Sequence, residues 1–429
     1  MNFSMVKVEK ISQSFTPFGG ISFVHDFFKR SGLRKLIDNE LGIRTSTCGY
    51  TYGSLLGNWF NLFLCGGDCA EDIETHLYPT LSAIPDNKVS KADTMLRCLK
   101  ELSVENTTVQ SVSGGVYQFN INDKMNALLL KSLLQTKQLE KGKSYDFDYD
   151  NQIIVHQKYD ATDTYKKTTG YFPGIACIGN KIVYIENRDG NANVKTDQAS
   201  TLKRAYQSFH EQGINIYRSR MDAGSYAREI VEVVAANSEL FYIRANRCET
   251  LTDRILHIEE WETVEINFKM YQVASLKFTS FFEDRNYRLV VMREESDDPQ
   301  PSLFTGKFIY RCILTNDHES SEKEIIEYYN QRGASENNFD VMNNDFGWKH
   351  LPCSDMNYNT VYMMITAMIK NFYLYIIAHI SGFFSDISPT TRIKRFIFRF
   401  ICVAGRWVYQ NRQWKIRLYT NRPYERLAA

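Results

Sequence analysis

Tyr329-Asn-Gln-Arg332-Gly-Ala-Ser-Glu336 sets a phenol, a guanidinium and a carboxylate three and four residues apart. On an α-helix advancing about 100° per residue, Arg332 falls about 60° from Tyr329 and Glu336 about 20° from it, so all three project toward one partner. A carboxylate for a hard cation, a planar cation for a phosphate and a phenol for a further hydrogen bond suit a phosphodiester. Two acidic stretches lie upstream. Tyr145-Asp146-Phe147-Asp148-Tyr149-Asp150 alternates rings with acids, which on a strand puts the aspartates on one face and the rings on the other. Carboxylates gathered that closely repel one another unless a cation sits among them. Ile214 to Met221 reads as a second strand, and Asp222 stands where it hands over through Ala223-Gly224-Ser225 to an apolar helix, a common place for ligand chemistry in open α/β sheets.

The surrounding elements must bring these acids together. The pattern predicts strands over Tyr145 to Asp150, Tyr171 to Ile178 and Lys181 to Asn187, then a helix over Ser200 to Glu211. A strand over Ile214 to Met221, a helix over Ser225 to Ala236 and a strand over Leu240 to Ala245 follow. Three strands followed by alternating helix and strand describe an α/β fold with an RNase H-like core, a mixed sheet flanked by helices. Asp222 and Glu336 are separated by far more chain than one strand and one helix need. Val264 to Phe268, Ala274 to Phe278, Tyr287 to Met292 and Phe308 to Leu314 fill that gap as a β-rich insertion of aromatic and β-branched residues.

The order of these motifs is informative as a set: Asp146-x-Asp148, Gly170-Tyr-Phe-Pro-Gly174, Asn187-Arg-Asp-Gly-Asn191, Arg220-x-Asp222-x-Gly224-Ser-Tyr226, then Tyr329-x2-Arg332-x3-Glu336. It resembles the DDE transposases of bacterial insertion sequences, in the cut-and-paste branch with a Tyr-Arg-Glu signature. The resemblance implies a two-metal site of Asp148, Asp222 and Glu336 for Mg²⁺, with Mn²⁺ as a substitute, and supporting roles for Tyr329 and Arg332. Asp148 is chosen as the second Asp of the Asp-x-Asp motif; strand geometry alone does not separate it from Asp146 or Asp150. Asn343 stands where the family often carries a Lys. The implied partner is double-stranded DNA at the element's terminal inverted repeats and at the target. A dimer of active sites in the synaptic complex and a hairpin intermediate are implied in the same way. An RNase H-like nuclease or resolvase without strand transfer, and a DNA-binding protein that has lost catalysis, are the alternatives.

Five regions follow. Residues 1–140 read as mainly helical and as the reader of the DNA ends, with a capping box from Ser90 to Asp93 opening one helix. Residues 141–247 form the first part of the core, 248–318 the insertion, 319–385 the catalytic helix and buried core helices, and 386–429 a basic, aromatic region. From Thr390 onward ten basic residues stand against one acid, Glu425. Arg392, Lys394, Arg395, Arg399, Lys415 and Arg417, interleaved with rings, are expected to track a DNA backbone. Trp261 is read as a base-stacking residue at a DNA end, with a core tryptophan as the competing reading.

Composition sets the outer limits. A chain of 429 residues that is 43% hydrophobic and 14% aromatic has ample material for a core of two or three domains. The apolar stretch from Val361 to Phe384 is interrupted by Lys370 and His379 and reads as a buried helix rather than a membrane anchor. The nine cysteines lack zinc-finger spacing, and the opening residues lack the pattern of a signal peptide. Together these predict a cytoplasmic protein with reduced thiols.

Overall fold

The computed structural model describes residues 15–45, 49–246, 249–296 and 307–427; the side chains at 249–250 and 334–336 lie outside that description. The chain divides into two compact units, Leu99–Asn371 and a second made of Met1–Cys98 with Phe372–Ala429.

Leu99–Asn371 is built on one mixed sheet. Its strands are β1 (Thr107–Gln110), β2 (Val116–Asn120), β3 (Ser144–Asn151), β7 (Gly174–Ile178), β8 (Lys181–Arg188), β9 (Asn215–Met221), β10 (Leu240–Ala245), β11 (Glu262–Ile266), β12 (Lys269–Phe278), β13 (Tyr287–Glu295) and β14 (Phe308–Thr315). Between β3 and β7, the short β4 (Ile154–Val155), β5 (Thr162–Asp163) and β6 (Thr169–Tyr171) make a separate small sheet. The large sheet runs β1-β2-β8-β7-β3-β9-β10-β14-β13-β12-β11. Only the β3/β9 and β9/β10 pairs are parallel among its pairings. Its middle, an antiparallel β8-β7-β3 followed by parallel β9 and β10, is the RNase H-like order. The four strands that fill the gap between Asp222 and Glu336 continue this sheet through β14 beside β10 rather than forming a layer of their own.

The single strand expected over Tyr171 to Ile178 is divided. Phe172-Pro173 interrupts it, because Pro173 has no N–H to give a ladder, and the halves join different sheets. Alternation along β3 sorts its side chains by face: Phe147 and Tyr149 enter the core beneath the helices Gln198–Glu211 and Arg228–Asn237, together with Tyr206, Phe209, Ile230 and Val234. A second cluster joins Tyr242, Val290, Met292 and Ile313 to Ile325, Ile326 and Tyr329 of the helix Glu322–Asn330, so that helix packs on the opposite face. The helix starts at a capping box, Ser321 with Glu324.

Met356–Ile380 is long and apolar enough to cross a membrane, but 83% of its most apolar window is buried inside the protein. In the second unit, the helices Ile21–Arg30, Leu33–Leu41 and Tyr52–Leu64 pack together, and every residue of the last is buried. The helix Ala92–Leu102 is not opened by the expected capping box. Ser90 is fully buried and accepts from Asn58 Nδ2 at 2.9 Å, while Glu74 Oε1 takes the Ala92 N–H at 2.7 Å. A tertiary contact has displaced the local cap. The same unit ends in an antiparallel hairpin of β15 (Gly405–Gln410) and β16 (Gln413–Leu418).

Candidate active site

The acids of β3 meet a second alternating row on β9. A register shift between Tyr145 and Asp146 places Asp146 opposite Arg218 and Asp148 opposite Arg220. Without that one-residue irregularity the row would face the wrong side of β9. Tyr149 lies opposite Met221, so the next step brings Asp150 to Asp222. Three carboxylates in succession therefore meet arginine, arginine and aspartate.

The first two rungs are ion pairs. Arg218 binds Asp146 through Nε and Nη2 at 2.8 and 2.7 Å, with both side chains about one-third exposed. Arg220 binds Asp148 through Nε and Nη2 at 2.7 and 2.8 Å, and here the two side chains are 9% and 5% exposed. Burial works against the Arg220 charge, yet the hydrogen bonds and charge of Asp148 outweigh it and raise the guanidinium above its ordinary value. The Tyr328 ring lies over both cations, 4.0 Å from Arg218 and 4.6 Å from Arg220. Asp148 is thus fully engaged by a protein cation.

The third rung differs. Burial raises the Asp150 carboxyl above the ordinary carboxylate range; Arg332 opposes that shift and Asp222 adds to it. Asp150 Oδ2 accepts from Arg332 Nη1 at 2.8 Å, and the side chains are 15% and 16% exposed. Asp222 caps the short turn Ala223–Ser225, accepting from the Gly224 N–H at 3.0 Å through Oδ1. Its other oxygen has no partner among the described residues. Two hard carboxylates that repel at close range, offset by a single guanidinium, have the donor chemistry of a divalent-cation site.

The Tyr-Arg-Glu segment is not one helix. Glu322–Asn330 ends, two turn residues intervene, and Gly333–Asp345 begins. The Tyr328 carbonyl, which a continuous helix would give to the Arg332 N–H, is taken by Arg220 Nη1 at 2.8 Å and by the Gln331 N–H at 3.2 Å. Arg332 N–H bonds the Tyr329 carbonyl instead, at 2.9 Å. This tightening, with Gly333 next in the chain, ends the helix and aims Arg332 at Asp150. The Tyr329 hydroxyl donates to the Met221 carbonyl at 3.1 Å, fixing the backbone next to Asp222. Glu336 lies in the first turn of the second helix; its side chain is outside the described residues.

That second helix is tied down two residues later. Asn338 Nδ2 donates to the Gly179 carbonyl at 3.1 Å, and Asn338 Oδ1 accepts from Lys370 Nζ at 3.1 Å. Lys370 also donates to the Asn180 carbonyl, and burial pushes its ammonium down to about 8. Neither residue was marked by the sequence, where Lys370 only interrupts an apolar run. Arg218 and Arg220 were legible in hindsight, since Arg218-x-Arg220-x-Asp222 repeats the period of Asp146-x-Asp148-x-Asp150.

Trp261 is half-buried. The Arg293 guanidinium covers its ring at 3.9 Å and its Nε1 donates to the Ile258 carbonyl at 3.0 Å. The basic residues Arg392, Lys394, Arg395, Arg399, Lys415 and Arg417 all belong to the other unit. There, Asp386 makes ion pairs with Arg399 and Arg422. That unit also brings one ligand atom each from Asp68, Cys69 and Asp72 within 4.8 Å of one another, a group of the right composition for a divalent metal. Asp72 Oδ2 there accepts from the Asp68 and Cys69 N–H groups at 3.1 and 3.5 Å, the hydrogen bonds of a local turn.

No curated protein matches the chain. Among solved structures, it resembles the piggyBac transposase synaptic complex with hairpin DNA, determined by cryo-electron microscopy. The identity is 12% over 90% of this chain and 80% of that one, with a TM-score of 0.44. A likeness that distant carries no functional inference. The model of the transposase DDE domain group 1 family matches residues 3–429, essentially the whole chain, and the protein belongs to that family.

Proposed function

We propose that this chain is the DNA transposase of an insertion sequence, cutting at the terminal inverted repeats of its element and joining the freed 3′-OH ends to target DNA. Family membership supports nuclease chemistry of the transposase type. The observation that carries the site is the rung at which Asp150 meets Asp222, after two rungs at which the acid meets an arginine.

Asp150, Asp222 and Glu336 are the ligands this reading assigns to Mg²⁺ or Mn²⁺. Asp150 takes the place that the family motif gave to Asp148, because both Asp148 oxygens are held by one buried guanidinium, whereas Asp150 accepts one N–H from Arg332 at Oδ2 and one from the Asn151 backbone at Oδ1. Held by these carboxylates, a divalent metal would supply activation of the attacking oxygen and stabilisation of the leaving one. The chain's own residues position these groups. Arg220 holds β3 to β9 and fixes the end of the helix Glu322–Asn330. Tyr329 fixes the Met221 carbonyl beside Asp222. Arg332 uses one N–H group on Asp150 and has others to offer a non-bridging phosphate oxygen.

The test is cleavage of a duplex carrying the DNA that flanks the gene, with Mg²⁺, by wild type and by Asp150→Asn, Glu336→Gln and Asp148→Asn. Specific 3′-OH ends are expected from wild type, with a loss of about 10²-fold or more in the first two variants. The Asp148→Asn variant should cleave in proportion to its folded fraction. Cleavage that never proceeds to joining would select a nuclease or resolvase. Sequence-specific binding without cleavage would select a decayed DNA-binding protein.

A further inference from the structure

The hairpin of β15 and β16 has two chemically distinct faces. Directly opposed residues share a face, so the pairs Arg406 with Arg417 and Val408 with Lys415 lie on one side. Trp407 with Ile416 and Tyr409 with Trp414 lie on the other. The strands are joined by Asn411 and Arg412, both at positive φ, 54° and 59°, as a two-residue turn that matches the twist of the strands requires. The root of the ribbon is fixed: Thr16 and Gly405 exchange both backbone hydrogen bonds at 2.9 Å, and the Tyr419 N–H bonds the Ala404 carbonyl at 2.8 Å.

The root of the ring-bearing face, Trp407 with Ile416, is half-buried against its own unit, while Tyr409 and Trp414 nearer the tip are 61% and 54% exposed. Trp407 and Trp414 line two clefts there, of about 510 and 430 Å³, the first with Pro79 and Pro85 and the second with Phe23 and Tyr424. The cationic face is open as well. Arg412, Lys415 and Arg417 are exposed and have no carboxylate partner among the described residues; Arg417 Nη2 meets only Gln410 Oε1, at 3.3 Å. No acid occurs between Gly405 and Asn421. Arg399 and Arg422 of the same unit, in contrast, are already paired with Asp386. Lys415 and Arg417 stand about 7 Å apart along one strand, so each can reach a different phosphate.

We propose that this ribbon is a docking surface for the phosphate backbone of duplex DNA, with Arg412, Lys415 and Arg417 as its contacts and its bonded, half-buried root holding its pose. The proposal rests on the reading of the chain as a DNA-acting enzyme and assigns part of its non-specific affinity to these residues. Its test needs no catalysis. Binding of the full chain to a random-sequence duplex is measured by fluorescence anisotropy in EDTA from 50 to 200 mM KCl. Wild type is compared with Arg412→Gln/Lys415→Gln/Arg417→Gln and with the charge-preserving Arg412→Lys/Arg417→Lys.

Three lost phosphate contacts should reduce the slope of log K against log salt by about 2.7, with an unchanged melting temperature, while the lysine variant keeps most of the slope. A wild-type slope in the triple glutamine variant would overturn the ribbon's role, even if flanking-DNA cleavage stands. A wild type that binds no duplex, and cleaves none in Mg²⁺, would overturn the functional reading as well.

Discussion

Along β3 and β9 the same alternation of residues has two outcomes. At Asp148 the opposing residue is Arg220, and the acid is closed off in a buried, doubly hydrogen-bonded pair. Two residues on, Asp150 lies beyond the last rung, where Asp222 follows Met221; burial and Asp222 raise its carboxyl, while Arg332 at Oδ2 and the Asn151 N–H at Oδ1 support the charge. One rung is closed by an arginine of the facing strand; past the next, the facing chain brings a second acid, and the guanidinium that meets Asp150 is Arg332, from outside the sheet. Neighbouring identical side chains on one face of one strand thus meet different partners, set by the residues across the sheet.

The largest effect that separates the two rungs is on stability. Asp148→Asn strands the Arg220 guanidinium without its counter-charge, and breaking a buried pair of this kind costs about 3–5 kcal/mol. Calorimetry should show a fall in melting temperature of about 5 °C. A change of a degree or two would mean that Arg220 is supported by Tyr328 alone.

Lys370 offers a buried cation of the other type, one bound to carbonyl oxygens instead of a carboxylate. Lys370→Met should destabilise by about 1–3 kcal/mol near neutral pH, because Asn338 loses a partner. Its pKa is lowered on folding, so between about 8 and the ordinary 10.5 the unfolded chain binds the proton and the folded chain does not. Stability from this group should therefore rise with pH across that window, and the rise should vanish in the methionine variant.

For Asp150 the sign is reversed. Its carboxyl is raised on folding, so from the ordinary 3.8 up through the raised value the folded chain holds the proton more readily. Stability from this group falls as pH rises there. Without metal, Asp150→Asn should change the melting temperature by less than Asp148→Asn does, and should flatten that slope in scans taken between pH 4 and 7. The smallest effect belongs to the exposed rung: Asp146→Asn should cost less than about 1 kcal/mol. A larger loss there would show that the Tyr328 ring binds both arginine pairs into one unit.

Much of this was legible before the fold was known. The period of two in Tyr145 to Asp150 gives the acidic face, and the apolar run after Ser225 places Asp222 at the end of its strand. The strands of the core follow from β-branched and aromatic runs, including those between Asp222 and Glu336. Which residue of the facing strand each of these aspartates meets was not legible, because it depends on a one-residue irregularity at Tyr145/Asp146. The break at Gln331-Arg332 was hidden for a similar reason. It arises when Arg220, distant in the chain, takes the Tyr328 carbonyl. Long-range hydrogen bonds decided both, and local periodicity carries no record of them.

The most direct measurement is the Mn²⁺-induced shift in melting temperature of wild type, Asp148→Asn, Asp150→Asn and Asp222→Asn, each titrated in the absence of DNA. A ligand that binds only the folded state at a hundred times its Kd stabilises by about 2.7 kcal/mol. Wild type and Asp148→Asn should both show the metal-dependent rise, the second from a lower starting point, while Asp150→Asn and Asp222→Asn should lose it. A rise retained in Asp150→Asn and lost in a folded Asp148→Asn would return the first ligand to Asp148 and contradict the account.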